Sequence, residues 1–234
     1  MSDSDLTAAR WDAEYRNRRY ANDPPLPFVD RIVQTLRADA SVGMGAGLYV
    51  GCGNGRNYLP LVDAGFEILG LDVSPEAINR VAERRPALGA QRLVCADFRD
   101  FTPTPPCFDY VIAIQVFQHG NDADVGDYFS KVAALLRPGG LLFLRVNSAG
   151  TQVYHAHTVV ERNARGGFTI RYDEGPKQGL LIHFYSESEL QDRLGRTFVP
   201  VMVPHEDVTV RAAPKTGSWA QWESIWKRRP SSRT

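Results

Sequence analysis

The stretch LYVGCGNGRN, Leu48 to Asn57, sets Gly51, Gly53 and Gly55 at alternate positions behind a short apolar run and ahead of a helical pattern. A loop that small and bare lets a ligand lie against the backbone. A carboxylate, Asp72, ends the next β-rich run, 21 residues after Gly51. An acid at that place can accept hydrogen bonds from both hydroxyls of a ribose. It can also serve as a cap for the helix that follows. A second acid, Asp97, ends the third run in CADFRDF, with Phe98 beside it. Such a pair suits the amino group and ring faces of an adenine. The plainer alternative for Asp97 is a residue that turns the chain into a loop.

Two nucleoside cofactor classes use a strand, a glycine turn and a helix. A dinucleotide fingerprint needs G-x-G-x-x-G, whose third glycine lets the helix pack closely on the strand. Here the spacing is G-x-G-x-G, ending in Arg56-Asn57. An acid at the end of the third strand suits one adenosyl group lying across strands one to three, whereas a dinucleotide places its second half elsewhere. The residues therefore suit a single adenosyl group better than a dinucleotide, and leave the pyrophosphate and the amino-acid end of S-adenosyl-L-methionine as the two candidates for the glycine loop. Cys52 lies inside that loop, where its backbone matters more than its sulfur.

These residues need strands to end on. From Gly47 to Asn147 the chain alternates β-rich runs with amphipathic segments: GLYVG, EILGLD, QRLVCAD, FDYVIAIQVF and LLFLRVN read as strands. NYLPLVDAG, SPEAINRVAERR and DVGDYFSKVAALL read as helices between them, the second with Ser74 as N-cap and Pro75 at its first position. RPGG is expected to stop the third helix. Strand and helix repeated in this way imply an α/β fold, a parallel sheet covered by helices on both faces. Upstream, two helices are expected in LTAARWDAEYRNRRY and PFVDRIVQTLRADA, separated by the breaker NDPPLP. Downstream, GFTIRYD and GLLIHFY form a β-hairpin across EGPKQ, followed by the helix SESELQDRLG with Ser186 and Glu189 at capping-box spacing. FVPVMVP and WESIWKRR are candidate strands, although Trp219, Trp222 and Trp226 also fit one face of a helix and on either reading are expected in the core. With no repeat and no linker, residues 1–234 read as one domain: a helical cap over 1–45, a cofactor-binding core over 46–147, an acceptor lid over 148–185, and a C-terminal helix and strands over 186–234.

Composition narrows the classes. Lys plus Arg and Asp plus Glu number 27 each, so there is no overall basic footprint for a nucleic acid. The polar beginning does not resemble a signal peptide, and no apolar run approaches the ~20 residues that cross a bilayer. The three cysteines, Cys52, Cys95 and Cys107, have no metal-ligand spacing and suit a reduced, cytoplasmic protein.

LYVGCGNGRN, GLDVSPEAI, CADF, FDYVIAIQVFQH and LLRPGGLLFL, taken in order over roughly residues 45–147, resemble the successive motifs of class I S-adenosylmethionine-dependent methyltransferases. CGNGRN, the opening WDAEY and the late FYSESEL also resemble the small tellurite-resistance and thiopurine-type methyltransferases. The resemblance implies a Rossmann-like sheet of seven strands, the last antiparallel and inserted before the sixth, so that WESIWKRR is the antiparallel one. Carried onto this chain, it implies Gly51, Cys52 and Gly53 against the methionine part, Asp72 and Val73 at the ribose, Asp97 and Phe98 at the adenine, and Gln115 bounding the amino-acid end. Tyr15, on the first helix, is placed either to close over that end or simply to pack.

Methyl transfer from a sulfonium is an in-line displacement, so the protein must align three atoms and exclude water more than it must stabilise an anion. A base is needed only if the acceptor must lose its proton early. His119, just past the fourth strand and on the carboxyl side of the sheet, is the candidate, with packing as its alternative. Tyr154, His183 and Tyr185 are the candidate acceptor contacts, the last two on one face of the hairpin by alternation. An aromatic lid and a neutral chain point to a small, partly apolar acceptor. A nicotinamide-dependent oxidoreductase and a non-catalytic S-adenosylmethionine-binding module are the competing readings. The sequence is silent on oligomeric state and on which atom receives the methyl.

Overall fold

The computed structural model describes residues 3–104 and 107–230. Helix α1 (Asp3–Arg16) comes first and is followed by α2 (Phe28–Ala38) and the short α3 (Ala40–Gly43). The alternating core then runs β1 (Gly47–Val50), α4 (Tyr58–Asp63), β2 (Ile68–Asp72), α5 (Pro75–Arg84), β3 (Leu93–Cys95), β4 (Phe108–Ile114), α6 (Asp122–Leu135) and β5 (Leu136–Asn147). Three short strands follow, β6 (His157–Arg162), β7 (Phe168–Tyr172) and β8 (Leu181–Phe184). The chain ends with α7 (Glu187–Gly195), β9 (Phe198–Val210) and β10 (Ser218–Arg228).

Seven strands form one sheet in the order β3-β2-β1-β4-β5-β10-β9. β10 runs antiparallel to both β5 and β9, and the neighbouring pairs from β3 to β5 are parallel. The expected seven-stranded sheet with its last strand antiparallel is therefore present. WESIWKRR is a strand and not a helix, because its backbone is bonded on both sides: Gln221 to Lys227 pair with Asn147 to Leu141, and the other edge pairs with β9. Trp222 and Trp226 pack into the core, as expected of them, whereas Trp219 is half-buried and lines a cavity.

Alternation along the strands divides the interior in two. Leu48, Val50, Val111, Ala113, Leu142 and Leu144 meet Val125, Phe129 and Val132 of α6 and Leu190 and Leu194 of α7. Tyr49, Ile112 and Phe143 meet Phe28, Ile32 and Leu36 of α2, Tyr58 and Leu61 of α4, and Val81 of α5. Helices thus cover both faces, as strand runs apolar on both sides require.

The helix ends follow the sequence. Ser74 Oγ accepts from the Ala77 N–H, and Asn121 and Asp124 form a reciprocal capping box at the start of α6. Ser186 Oγ accepts from the Glu189 N–H, but the Glu189 side chain does not return to the cap, because it is buried in contact with His183 and Arg193. RPGG does not lie beyond the secondary structure: α6 ends at Leu135 and Leu136 already begins β5. The hairpin predicted over 167–185 exists as β7 and β8, and β6 adds a third strand. Nor is it a free flap. β8 is bonded to the segment that follows β4, with Gly120 N–H donating to Leu181 O and His183 N–H to Gln118 O. Its core of Ile170, Tyr172, Leu180, Ile182 and Phe184 packs on Leu6 of α1. Among the described residues no helix is long and apolar enough to cross a membrane.

Candidate functional site

β1 ends directly in the glycine loop. Gly51 and Gly53 have φ of +69° and +56°, a region costly to residues with a Cβ. Side chains would also collide there. A Cβ on Gly51 would lie 2.2 Å from Val116 Cγ2, and one on Gly53 2.7 Å from the Tyr15 hydroxyl. Asp72, at the end of β2, holds this loop: its two carboxylate oxygens accept from Gly53 N–H at 2.8 Å and Ser74 N–H at 2.9 Å. Ser74, not Asp72, is the helix cap. Asp72 is buried, and burial pushes its carboxyl up to about 6 despite those two donors. Cys52 points its sulfur into the core near Gly70, and burial pushes the thiol up, so only its backbone faces the loop as a chemical group.

At the end of β3, Asp97 has a partner that the sequence reading did not name. Arg99 donates to it through Nε, Nη2 and its backbone N–H, at 3.2, 2.8 and 2.8 Å. Part of the carboxylate's capacity is thus used in a local turn, which gives the turn-forming alternative real substance. Phe98 is buried beside Phe117 and Tyr128, so one face of its ring belongs to the core. Gln115 follows β4 with φ of +61°, an uncommon conformation for a residue with a side chain, and its Nε2 donates to Gln221 Oε1 at 2.9 Å.

Tyr15, Gly51, Cys52, Gly53, Asp72, Val73, Asp97, Phe98 and Gln115 all line one cavity, together with His119. It lies where β1, β2, β3 and β4 end. Its roof is α1, whose Trp11 stands edge-on to the His119 ring at 5.6 Å and 6.0 Å from the Tyr15 ring. Trp11 was missed by the sequence reading, although it lies one helical turn before Tyr15 and so had to share its face. The His119 ring is buried, its Nδ1 has no hydrogen-bond partner, and burial, then Lys177 and Arg99, push its pKa down to about 3.

A second cavity adjoins the first, and Tyr154 lines it together with Tyr20, Lys177 and Trp219. His183 and Tyr185 line neither. Both are fully buried: His183 bonds Thr169 Oγ1 through Nδ1 at 2.8 Å and Glu189 through Nε2 at 3.0 Å, and the Tyr185 hydroxyl donates to Phe117 O. Strand alternation did put them on one face, but that face turns toward α6 and α7 instead of the cavity. Asp122, His183 and Glu189 converge closely enough for a metal ion, but the Arg193 guanidinium already bonds both carboxylates.

Residues 48–140 match a family model described as a methyltransferase domain. The core of this chain is thus methyltransferase-like. A ubiquinone biosynthesis O-methyltransferase of Brucella ovis is 28% identical over 166 residues, covering 66% of this chain and 64% of that protein. The chain therefore spans just under two thirds of that relative's length. The protein of the same name in Rhodopseudomonas palustris is 33% identical over 96 residues, 40% of this chain and 36% of the relative. These names are not those of the tellurite-resistance or thiopurine group that the motif wording suggested.

Solved structures extend the likeness of the methyltransferase-like core to the whole fold. The 1,6-didemethyltoxoflavin-N1-methyltransferase of Burkholderia thailandensis superposes with a TM-score of 0.63 at 18% identity, covering 96% of this chain and 88% of that one. The magnesium protoporphyrin IX methyltransferase of Synechocystis, with S-adenosylmethionine bound, gives 0.63 at 17% identity over 97% of this chain and 98% of that one.

Proposed function

We propose that this protein transfers a methyl group from S-adenosyl-L-methionine to a small-molecule acceptor. One observation carries the reading: the ends of β1 to β4 bring the glycine loop, Asp72, Asp97 and Gln115 into a single cavity in the order that one adenosyl cofactor would need. The match of residues 48–140 to a methyltransferase domain and the likeness to methyltransferase folds support it. The cradle also fits the group. Gly51 and Gly53 leave bare backbone where Cβ atoms would intrude, and the Asp72 carboxylate lines the cavity with acceptor capacity left for a ribose hydroxyl. Ionised Asp72 and Val73 would hold the ribose, Asp97 and Phe98 the adenine, and Gln115 and Tyr15 the amino-acid end.

When bound, the cofactor supplies an electrophilic methyl on a cationic sulfur. The chain's part is to align the acceptor and exclude water, and the roof of Trp11 and Tyr15 serves that purpose. Alignment of this kind can lower a barrier by roughly 7–11 kcal/mol. His119 is better suited to a wall of the site than to a base. With its pKa near 3 it is neutral at working pH, and a base that weak takes a proton poorly. The unpartnered Nδ1 can still accept a hydrogen bond from an acceptor.

The test is a thermal melt followed by turnover. S-adenosylhomocysteine should raise the melting temperature while NAD and NADP leave it unchanged, since only a ligand of the folded state stabilises it. Incubation with S-adenosylmethionine and an acceptor panel should then give a product heavier by one methylene. A shift with the dinucleotides alone would point to the oxidoreductase reading, and binding without any methylated product to a binding module.

A further inference from the structure

The two cavities share a wall: Trp11, Tyr20, Arg56 and Gln115 line both. Beyond that wall the second cavity is lined by cations and aromatic rings, with no Asp or Glu among its lining residues. Two of the cations are already neutralised, Arg19 by Glu14 at 2.6 Å and Arg56 by Asp23 at 3.5 Å. Lys177, Arg211 and Lys215 have no carboxylate within ion-pair distance among the described residues. They lie over rings instead. Lys177 Nζ is 5.8 Å from the Trp11 ring and 5.3 Å from that of Trp219, Arg211 is 5.9 Å from Trp219, and Lys215 Nζ is 5.8 Å from Tyr154. These residues come from five separate places: α1, the segment before β6, the β7–β8 turn, the loop between β9 and β10, and the start of β10 itself.

Three cations with no carboxylate partner among the described residues stand around one space and repel each other, and the aromatic faces offset only part of that. Separately, burial and then the nearby Arg19 push the Lys177 pKa down to about 8, against the opposing pull of Glu14. An anion in the space would relieve this repulsion, and a flat ring would be held by Trp11, Tyr154 and Trp219. We propose that this second cavity is the acceptor site and selects a small aromatic molecule carrying an anionic group, a carboxylate, sulfonate or phosphate. The word acceptor rests on the methyl-transfer reading above, whereas selectivity for an aromatic anion is a property of the cavity itself.

The experiment uses the full chain and two probes of the same shape, 1-naphthoate and the neutral 1-naphthalenemethanol. Quenching of the tryptophan emission, to which Trp11 and Trp219 contribute, is followed with and without saturating S-adenosylhomocysteine. Charge-assisted bonds predict that naphthoate binds about tenfold or more tightly. Lys177→Met and Arg211→Gln should each remove most of that preference, and Lys215→Gln, at an exposed lysine that folding does not need, should reduce it. Equal affinity for the two probes in the wild type would overturn the proposal. So would a preference that survives in the Arg211→Gln/Lys215→Gln double variant. A loss of S-adenosylhomocysteine affinity in these variants would overturn it too, because the cations would then serve the cofactor's own carboxylate. If S-adenosylhomocysteine fails to bind the wild type, the methyl-transfer reading fails, and the naphthoate comparison still decides the selectivity.

Discussion

Replacing Asp72 with Asn separates its two jobs, holding the glycine loop and holding a ribose. The buried carboxylate accepts Gly53 N–H and Ser74 N–H on different oxygens. An amide has one oxygen, so one of those N–H groups would face an NH₂ and lose its partner, at about 1–3 kcal/mol. In return the variant sheds a buried charge. Raising a carboxyl from its ordinary value of 3.8 to about 6 costs the folded state about 3 kcal/mol at neutral pH. The two terms nearly cancel, so urea unfolding at pH 7.5 should give a stability within about 2 kcal/mol of wild type. Cofactor affinity has no such compensation. Hydrogen bonds from ribose hydroxyls to a carboxylate are worth roughly 1.5–3 kcal/mol, so calorimetry with S-adenosylhomocysteine should show a loss of about tenfold or more. The pH dependence carries the same signature. The folded pKa is raised, so the contribution of Asp72 to stability is greatest below its unfolded pKa and is lost as pH rises through about 6. Ligand binding needs the ionised form, so wild-type affinity should fall as pH drops below about 6, and Asp72→Asn should flatten that fall. Unchanged affinity in a stable variant would refute the ribose role and leave Asp72 as an anchor of the loop.

Four further outcomes are expected. His119→Ala should retain kcat within about tenfold, and the wild-type rate should show no histidine limb between pH 5 and 8, because the ring stays neutral down to about 3. A loss of about 10²-fold or more together with an acid limb near neutrality would restore it as a base. Gly53→Ala should lower both stability and S-adenosylhomocysteine affinity, since it adds about 1–2 kcal/mol of left-handed strain and meets the Tyr15 hydroxyl, and a melt unchanged within error would contradict this. Glu189→Gln should destabilise by about 3 kcal/mol in urea unfolding while sparing cofactor affinity, because it breaks a buried network with His183 and Arg193. Burial raises the Glu189 carboxyl, but His183 and then Arg193 outweigh it and hold the group below its ordinary value, so this stability is present above its unfolded pKa and is lost as pH falls through the folded one.

Whatever depends on local spacing was legible in the order of residues. Alternating runs with capped helices between them specified the parallel core, and glycine spacing with acids at two strand ends specified a nucleoside-type cavity. These signals are short-range: Ser74 caps α5 and Asp72 reaches Gly53 because each strand leads directly into its loop. The placement of WESIWKRR between β5 and β9 came from a family resemblance, since its tryptophan spacing alone fits a helix as well. Tertiary structure decided the direction of side chains that two elements compete for. Period two placed His183 and Tyr185 on one face, but only the packing of β8 beneath α6 and α7 shows that this face is core. Arg99 at Asp97, and Trp11 beside His119, are contacts set by how a turn closes and how α1 lies over the sheet. The cations of the second cavity, Lys177, Arg211 and Lys215, lie in two loops more than thirty residues apart in sequence. Each reads alone as a solvated charge. Only the fold brings them around one space, because charge at a distance of a few ångströms is a property of the assembled loops and not of the order of residues.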